Sequence, residues 1–218
     1  MKIYNLCEQD SLVAQYMSEL RDKNIQQDRM RFRKNVKRLG QICAYEISKH
    51  LQYADTKTQT PLDTASTRTI DDKVVLATVL RAGLLFHEGF LSYFDNAENA
   101  FVSAYRKYRP GSDDFDIHIE YLASPRLDDK TLIIVDPMLA TGSSMALAYN
   151  ALLTKGHPAH IHVVSIIASE QAVDYVRSHF PEDKTSLWTC DIDPVLNAHS
   201  YIVPGLGDAG DLMYGEKE

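Results

Sequence analysis

Three short apolar runs constrain this chain more than anything else in its sequence: Val74–Leu80, Thr131–Val135 and Ile161–Ala168. Each is rich in β-branched residues and lacks the polar alternation of a half-solvated strand. Strands of this composition are buried on both faces, as in a parallel sheet. Helical patterns separate them, predicted over Gly83–Phe94, over Ser143–Lys155 with Gly156 as the closing residue, and over Gln171–Phe180. Strands alternating with helices predict an α/β fold, a parallel sheet with helices on both faces.

The flanking segments complete the outline. Residues 11–24 and 29–52 read as helices, the second with one apolar stripe of Phe32, Val36, Leu39, Cys43, Ile47 and Leu51. The Thr/Ser/Asp-rich stretch Ala54–Thr69 is expected to be irregular or a hairpin. Ala100–Tyr105 and Ile117–Leu122 read as further strands, joined through a basic loop over Tyr105–Gly111. The last eighteen residues read as a glycine-rich tail without a regular element. A chain of 218 residues suits one domain, 1–218. It divides into N-terminal helices (11–52), a core (73–180) and a C-terminal segment (190–215).

Composition narrows the function. A formal net charge of −7 argues against broad binding to nucleic acid or a membrane surface. It leaves room for a small anionic substrate, because a local cluster of arginines dominates inside a cleft. Cys7, Cys43 and Cys190 are odd in number and scattered, which fits a reducing cytoplasm better than a disulfide framework. Met1–Glu8 lacks the apolar run of a signal peptide, and no stretch has the length and apolarity of a membrane span.

The motif with the most chemistry runs from Val135 through Asp136, Pro137, Met138, Leu139, Ala140, Thr141, Gly142, Ser143 and Ser144. It lies between a buried strand and a helix, where open α/β sheets bind ligands. The first turn of a helix offers unpaired N–H groups and partial positive charge to a phosphate. Thr141, Ser143 and Ser144 add hydroxyls, and Gly142 lets the backbone come close. Asp136 would repel phosphate, so it is expected to face ribose hydroxyls or a cation. The absence of GxxxxGK[ST] argues against a P-loop nucleotidase.

This run resembles the phosphoribosyl-pyrophosphate loop of uracil phosphoribosyltransferases. Tyr201-Ile202-Val203-Pro204-Gly205-Leu206-Gly207-Asp208-Ala209-Gly210-Asp211, preceded by Asp193-x-x-Leu196-Asn197, is similar to the uracil-binding segment of the same family. Leu80-Arg81-Ala82-Gly83-Leu84 resembles its pyrophosphate-contacting turn, and Phe32-Arg33, Tyr45-Glu46 and Tyr105-Arg106 are shorter matches. The pieces follow the family order over nearly the whole chain. Gly205–Gly210 also fits GxGxxG, but a dinucleotide fold needs a further helix and strand, and only eight residues follow Gly210.

The resemblance implies a type I phosphoribosyltransferase fold with a hairpin or flap. It implies transfer of phosphoribosyl from phosphoribosyl pyrophosphate to uracil, giving uridine monophosphate in pyrimidine salvage. Arg81, Asp136 and Asp208 would be the catalytic residues, with Arg81, Arg106, residues 136–144 and Asp208 binding the donor. Ile202, Gly207, Asp208 and Ala209 would bind uracil, largely through backbone groups that oppose cytosine's reversed donor–acceptor pattern. Magnesium would be carried mainly by the donor. A homodimer or homotetramer and binding of guanosine triphosphate are further family expectations.

Some positions depart from the pattern. Ser143 stands where the family has a second loop glycine, so a positive φ there would strain it. Thr78 replaces a proline, and Ser200 replaces the glycine before Tyr201. Two alternatives follow: a transferase for another pyrimidine-like base, or a regulator that binds the donor or a nucleotide without turnover. His157, His160 and His162 form HxxHxH without a fourth ligand to close a metal site. Cys190 is expected in the core.

Overall fold

The structure is a computed structural model that describes residues 1–108 and 115–216, with side chains from 104 to 119 outside the description. In chain order the elements are β1 (Lys2–Asn5), α1 (Leu12–Arg21), α2 (Arg29–Ser48), β2 (Tyr53–Gln59), β3 (Thr64–Ile70), β4 (Val74–Val79) and α3 (Leu84–Leu91). Then come β5 (Glu98–Tyr108), β6 (Phe115–Ala123), β7 (Thr131–Val135), β8 (Met138–Leu139), α4 (Ser143–Leu152), β9 (His160–Ser169) and α5 (Glu170–His179). The chain ends through β10 (Thr185–Asp193), β11 (Val195–Leu196), β12 (Ile202–Val203) and α6 (Ala209–Tyr214).

The main sheet runs β1-β10-β9-β7-β4-β5-β6, and every neighbouring pair is parallel except β5 with β6. Its three central strands are the three apolar runs of the sequence. Successive residues on β4 serve opposite faces, as the period of a strand requires. Leu76 joins Phe32, Leu39, Phe86 and Phe90 beneath α2 and α3, whereas Val75 and Ala77 join Met145, Leu152 and Val176 beneath α4 and α5. Phe32 and Leu39 are fully buried on the stripe of α2, and burying each such side chain contributes about 1.5–3 kcal/mol.

Caps fix where the helices begin. Asp28 Oδ1 accepts from the N–H groups of Met30 and Arg31, both at 3.0 Å, and Ser11 Oγ accepts from Val13 N–H at 3.2 Å. The Ala54–Thr69 stretch forms the β2–β3 hairpin, with Tyr53 opposite Ile70 and Gln59 opposite Thr64.

Three expectations are corrected. Tyr105–Tyr108 is not loop but the end of β5, where Arg106 pairs with Ile117 and Lys107 with Asp116. Backbone pairing carries these charged residues, so no apolar run marks them. Arg109 and Gly111 lie outside the described residues. The final eighteen residues contain β12 and the six-residue helix α6, capped by Asp208 Oδ1 on Asp211 N–H at 2.9 Å. The sheet also reaches beyond residues 73–180, because β1 and β10 extend it on one side. Among the described residues, no helix is long and apolar enough to cross a membrane.

Candidate active site

Adjacent strands place the two central charged residues. Thr78 of β4 pairs with Val135 of β7, so Arg81 and Asp136 leave the sheet at the same carboxyl edge. Arg81 Nη2 donates to Asp211 Oδ1 at 2.8 Å and to the Gly215 carbonyl at 2.9 Å. Thr78, the residue in place of proline, is buried, and its hydroxyl has no partner among the described residues.

The 136–144 loop is built from both sides. Beyond Asp136 the chain adds β8 against β9, with Met138 opposite Ile167. Gly142 then turns the backbone at φ 77°, and a Cβ there would come 2.9 Å from the Tyr175 ring. Glycine is therefore required for conformation and for space. Ser169 Oγ donates to the Ala140 carbonyl at 2.5 Å and accepts from Ala172 N–H at 2.9 Å, tying the loop to the start of α5. Thr141 Oγ1 and Ser143 Oγ lie 2.8 Å apart. Ser143 begins α4 with ordinary helical backbone; the left-handed residue is Gly142. The strain that a serine would suffer at a positive φ is absent from this loop. It falls instead on Ser200, at φ 61°.

Asp136 is half-buried, and its Oδ1 accepts from Met138 N–H at 3.3 Å. Burial pushes its carboxyl up to about 7 against that hydrogen bond, and the Asp208 charge pushes the same way. Two carboxylates in one field suit a cation or ribose hydroxyls. Among the described residues, no group of three His, Cys, Asp or Glu side chains is arranged to hold a metal.

The 202–211 segment packs directly on the 136–144 loop. Ala209 N–H points at Met138 Sδ at 3.2 Å, and a Cβ on Gly210 would lie 3.9 Å from Arg81 Nε. Ile202 and Leu206 are buried anchors, while Gly207 and Asp208 between them and α6 are exposed. Gly205 turns the chain at φ 62°, and any Cβ would meet the Ile202 carbonyl at 2.1 Å. A cavity of ≈ 300 Å³ borders this loop, lined by Gln26, Arg29, Gly207, Asp208 and Asp211 among others. A larger one, ≈ 480 Å³, lies at the amino ends of β4 and β5, away from these residues.

The structure thus brings together Arg81, residues 136–144, Ile202 and residues 207–209; the Arg106 side chain lies outside the description. Sequence inspection misses Asp211, the partner of Arg81, and Arg21, which reaches from α1 to Asp191, Asp193 and Gly205. No spacing signal links residues that far apart. His162 serves packing: Trp188 Nε1–H donates to its buried Nδ1 at 3.1 Å, and burial pushes its imidazole down to about 3, whereas His157 is exposed. Cys190 is buried with its sulfur 3.8 Å from that of Cys43.

Solved structures give the class. A protein from Aquifex aeolicus superposes with TM-score 0.84 at 29% identity, covering 98% of each chain. A hypoxanthine phosphoribosyltransferase from Staphylococcus aureus, 13% identical with TM-score 0.50 over 75% of this chain and 76% of its own, shares the fold. The architecture is that of the type I phosphoribosyltransferases. The uracil phosphoribosyltransferase family profile matches residues 7–216. The uracil phosphoribosyltransferase of Porphyromonas gingivalis is 61% identical over 100% of both chains. That of Methanothermobacter thermautotrophicus is 39% identical over 94% of this chain and 92% of its own. The chain belongs to the uracil phosphoribosyltransferase family.

Proposed function

We propose that Arg81, residues 136–144 and residues 202–209 form one site, in which phosphoribosyl pyrophosphate gives its phosphoribosyl group to uracil. The observation that carries this assignment is the Ala209 N–H to Met138 Sδ contact at 3.2 Å, which joins the phosphate loop to the base loop. A ribose whose 5′-phosphate sits on the first turn of α4 would then have its C1 near a base held by the 202–209 backbone.

In the displacement, the C1–O bond to pyrophosphate breaks as the bond to uracil N1 forms. Positive charge grows on the ribose and negative charge on the leaving group. Arg81 would stabilise the second charge by exchanging Asp211 and the Gly215 carbonyl for pyrophosphate oxygens. Asp136 would accept hydrogen bonds from the ribose hydroxyls, and holding them aligns C1 with N1. Asp208 faces the same donor from the start of α6. Magnesium bound to pyrophosphate would supply further neutralisation of the leaving group. The backbone groups of Ile202, Gly207 and Ala209 would read the uracil edge, and a base with reversed polarity would leave them unpaired, at about 1–3 kcal/mol each.

The test is formation of uridine monophosphate from uracil, donor and magnesium, with cytosine, orotate and purine bases in parallel. Uracil-specific turnover lost in Arg81→Ala supports the site. Turnover unchanged in Arg81→Ala, or equal use of cytosine, overturns it.

A further inference from the structure

A charged cluster with several short hydrogen bonds lies behind the 202–209 loop. Arg21, at the end of α1, donates from Nη1 to Asp193 Oδ2 and from Nη2 to Asp193 Oδ1, both at 2.8 Å. Nη2 also donates to Asp191 Oδ2 at 2.8 Å, and Nη1 to the Gly205 carbonyl at 2.9 Å. Asp193 Oδ2 in turn accepts from Gly205 N–H at 2.7 Å. Both backbone polar groups of one residue are therefore held by one ion pair.

We propose that Arg21 is a positioning residue for uracil: through Gly205 it fixes the backbone of residues 202–209 that reads the base. This deepens the function proposed above and rests on it. Gly205 lies between Ile202 and Gly207, in a turn too tight for any side chain. Rotation of the Gly205 peptides would turn the neighbouring carbonyls and N–H groups with it. The hydrophobic anchors Ile202 and Leu206 fix position but not the direction of a hydrogen bond. A bidentate guanidinium–carboxylate pair fixes direction as well, because its fork is planar.

The burial of the cluster supports the same role. The Asp193 side chain is 6% exposed and that of Arg21 22%, so the pair is shielded from solvent. Burial pushes Asp193 up, but Arg21 and Gly205 N–H outweigh it and keep the carboxylate ionised. Surface exposure would leave such a pair weak and mobile. Asp191, on the same strand two residues earlier, restrains the second edge of the guanidinium. The side-chain hydrogen bonds of Arg21 go to Asp191, Asp193 and Gly205, and among the described residues none reaches residues 136–144. The effect on the two substrates should therefore separate.

The experiment measures initial rates for the parent, Arg21→Lys and Arg21→Met, varying uracil and donor independently. Lysine keeps the charge but lacks the fork, which leaves a soluble variant to assay if the methionine variant does not fold. Expected is a rise of about tenfold or more in KM for uracil in Arg21→Lys, with KM for the donor within about twofold of the parent. Discrimination between uracil and cytosine should fall in the same variant. An unchanged uracil KM in folded Arg21→Lys overturns the proposal, as does an equal rise for both substrates, which would mean general loosening. Absence of uracil turnover in the parent would instead remove the underlying function.

Discussion

Arg81 and Asp211 form an ion pair at 2.8 Å in which each side chain is 38% exposed. The arginine assigned to pyrophosphate is thus held, in the free chain, by a carboxylate from α6. An exposed pair of this kind is worth about 0–1 kcal/mol, small enough for a polyphosphate to displace. Asp211→Asn is expected to lower KM for the donor about two- to fivefold, since less is given up on binding. Arg81→Ala removes the leaving-group contact, and kcat/KM for the donor should fall about 10²–10³-fold. Steady-state kinetics with saturating uracil measures both. A higher donor KM in Asp211→Asn would show that Asp211 orients Arg81 rather than competing for it.

The two small residues of the 136–144 loop should differ in how much they matter. Gly142→Ala places a Cβ at φ 77°, 2.9 Å from Tyr175 Cδ1. The loop must shift, and donor KM should rise about tenfold or more, since misplaced phosphate donors lose binding directly. Ser143→Gly removes only a hydroxyl paired with Thr141 at 2.8 Å, so its effect should stay within about threefold, or ~0.6 kcal/mol. Equal effects in the two variants would show that helix start, not the left-handed turn, shapes the site.

Much of the fold is readable in sequence, for a physical reason. β4, β7 and β9 are buried on both faces, so each is predominantly apolar, even though β9 also buries His162 and Ser165. β10, between β1 and β9, hides because Thr185, Ser186 and Thr189 are buried with its apolar residues. Thr189 Oγ1 donates to the Asp191 carbonyl and accepts from Ser165 Oγ, which satisfies that hydroxyl inside the sheet, whereas the buried Thr185 hydroxyl has no partner among the described residues; these polar residues leave the strand without an apolar signature. α6 is obscured by the glycines at 205, 207, 210 and 215, which suggest a tail. In the site, contiguous motifs bring Asp136, Gly142 and Asp208 into view. The pairs Arg21–Asp193 and Met138–Ala209 span 172 and 71 residues and exist only after folding.

Ser200 carries the backbone cost expected at Ser143. Its φ of 61° is left-handed, and its N–H donates to the Asn197 carbonyl at 2.9 Å, which holds it there. A non-glycine residue in this region costs about 1–2 kcal/mol, partly offset by the greater freedom of glycine in the unfolded chain. Ser200→Gly should therefore stabilise the protein by about 0.5–1 kcal/mol, read as a higher melting temperature. No gain would mean that the Asn197 loop relaxes around the serine.

Asp136 sets a stability cost that changes with pH. Burial, reinforced by Asp208, raises its carboxyl from the usual 3.8 to about 7. Between these values the folded chain holds a proton that the unfolded chain releases. Stability from this group is fully present below about pH 4 and is lost as pH rises through 7. Asp136→Asn keeps an oxygen for Met138 N–H and removes the charge. In chelator-treated protein without donor, the variant should match the parent near pH 4 and exceed it at pH 8 by on the order of 2–4 kcal/mol. Urea titrations at the two pH values measure this difference, and a constant offset would show that the Asp136 charge is already compensated in the free chain. The same substitution should reduce uridine monophosphate formation, because an amide repels neither phosphate nor pyrophosphate yet holds ribose hydroxyls less strongly than a carboxylate. A variant that gains stability while losing turnover is the signature of a charge kept for its ligand rather than for the fold.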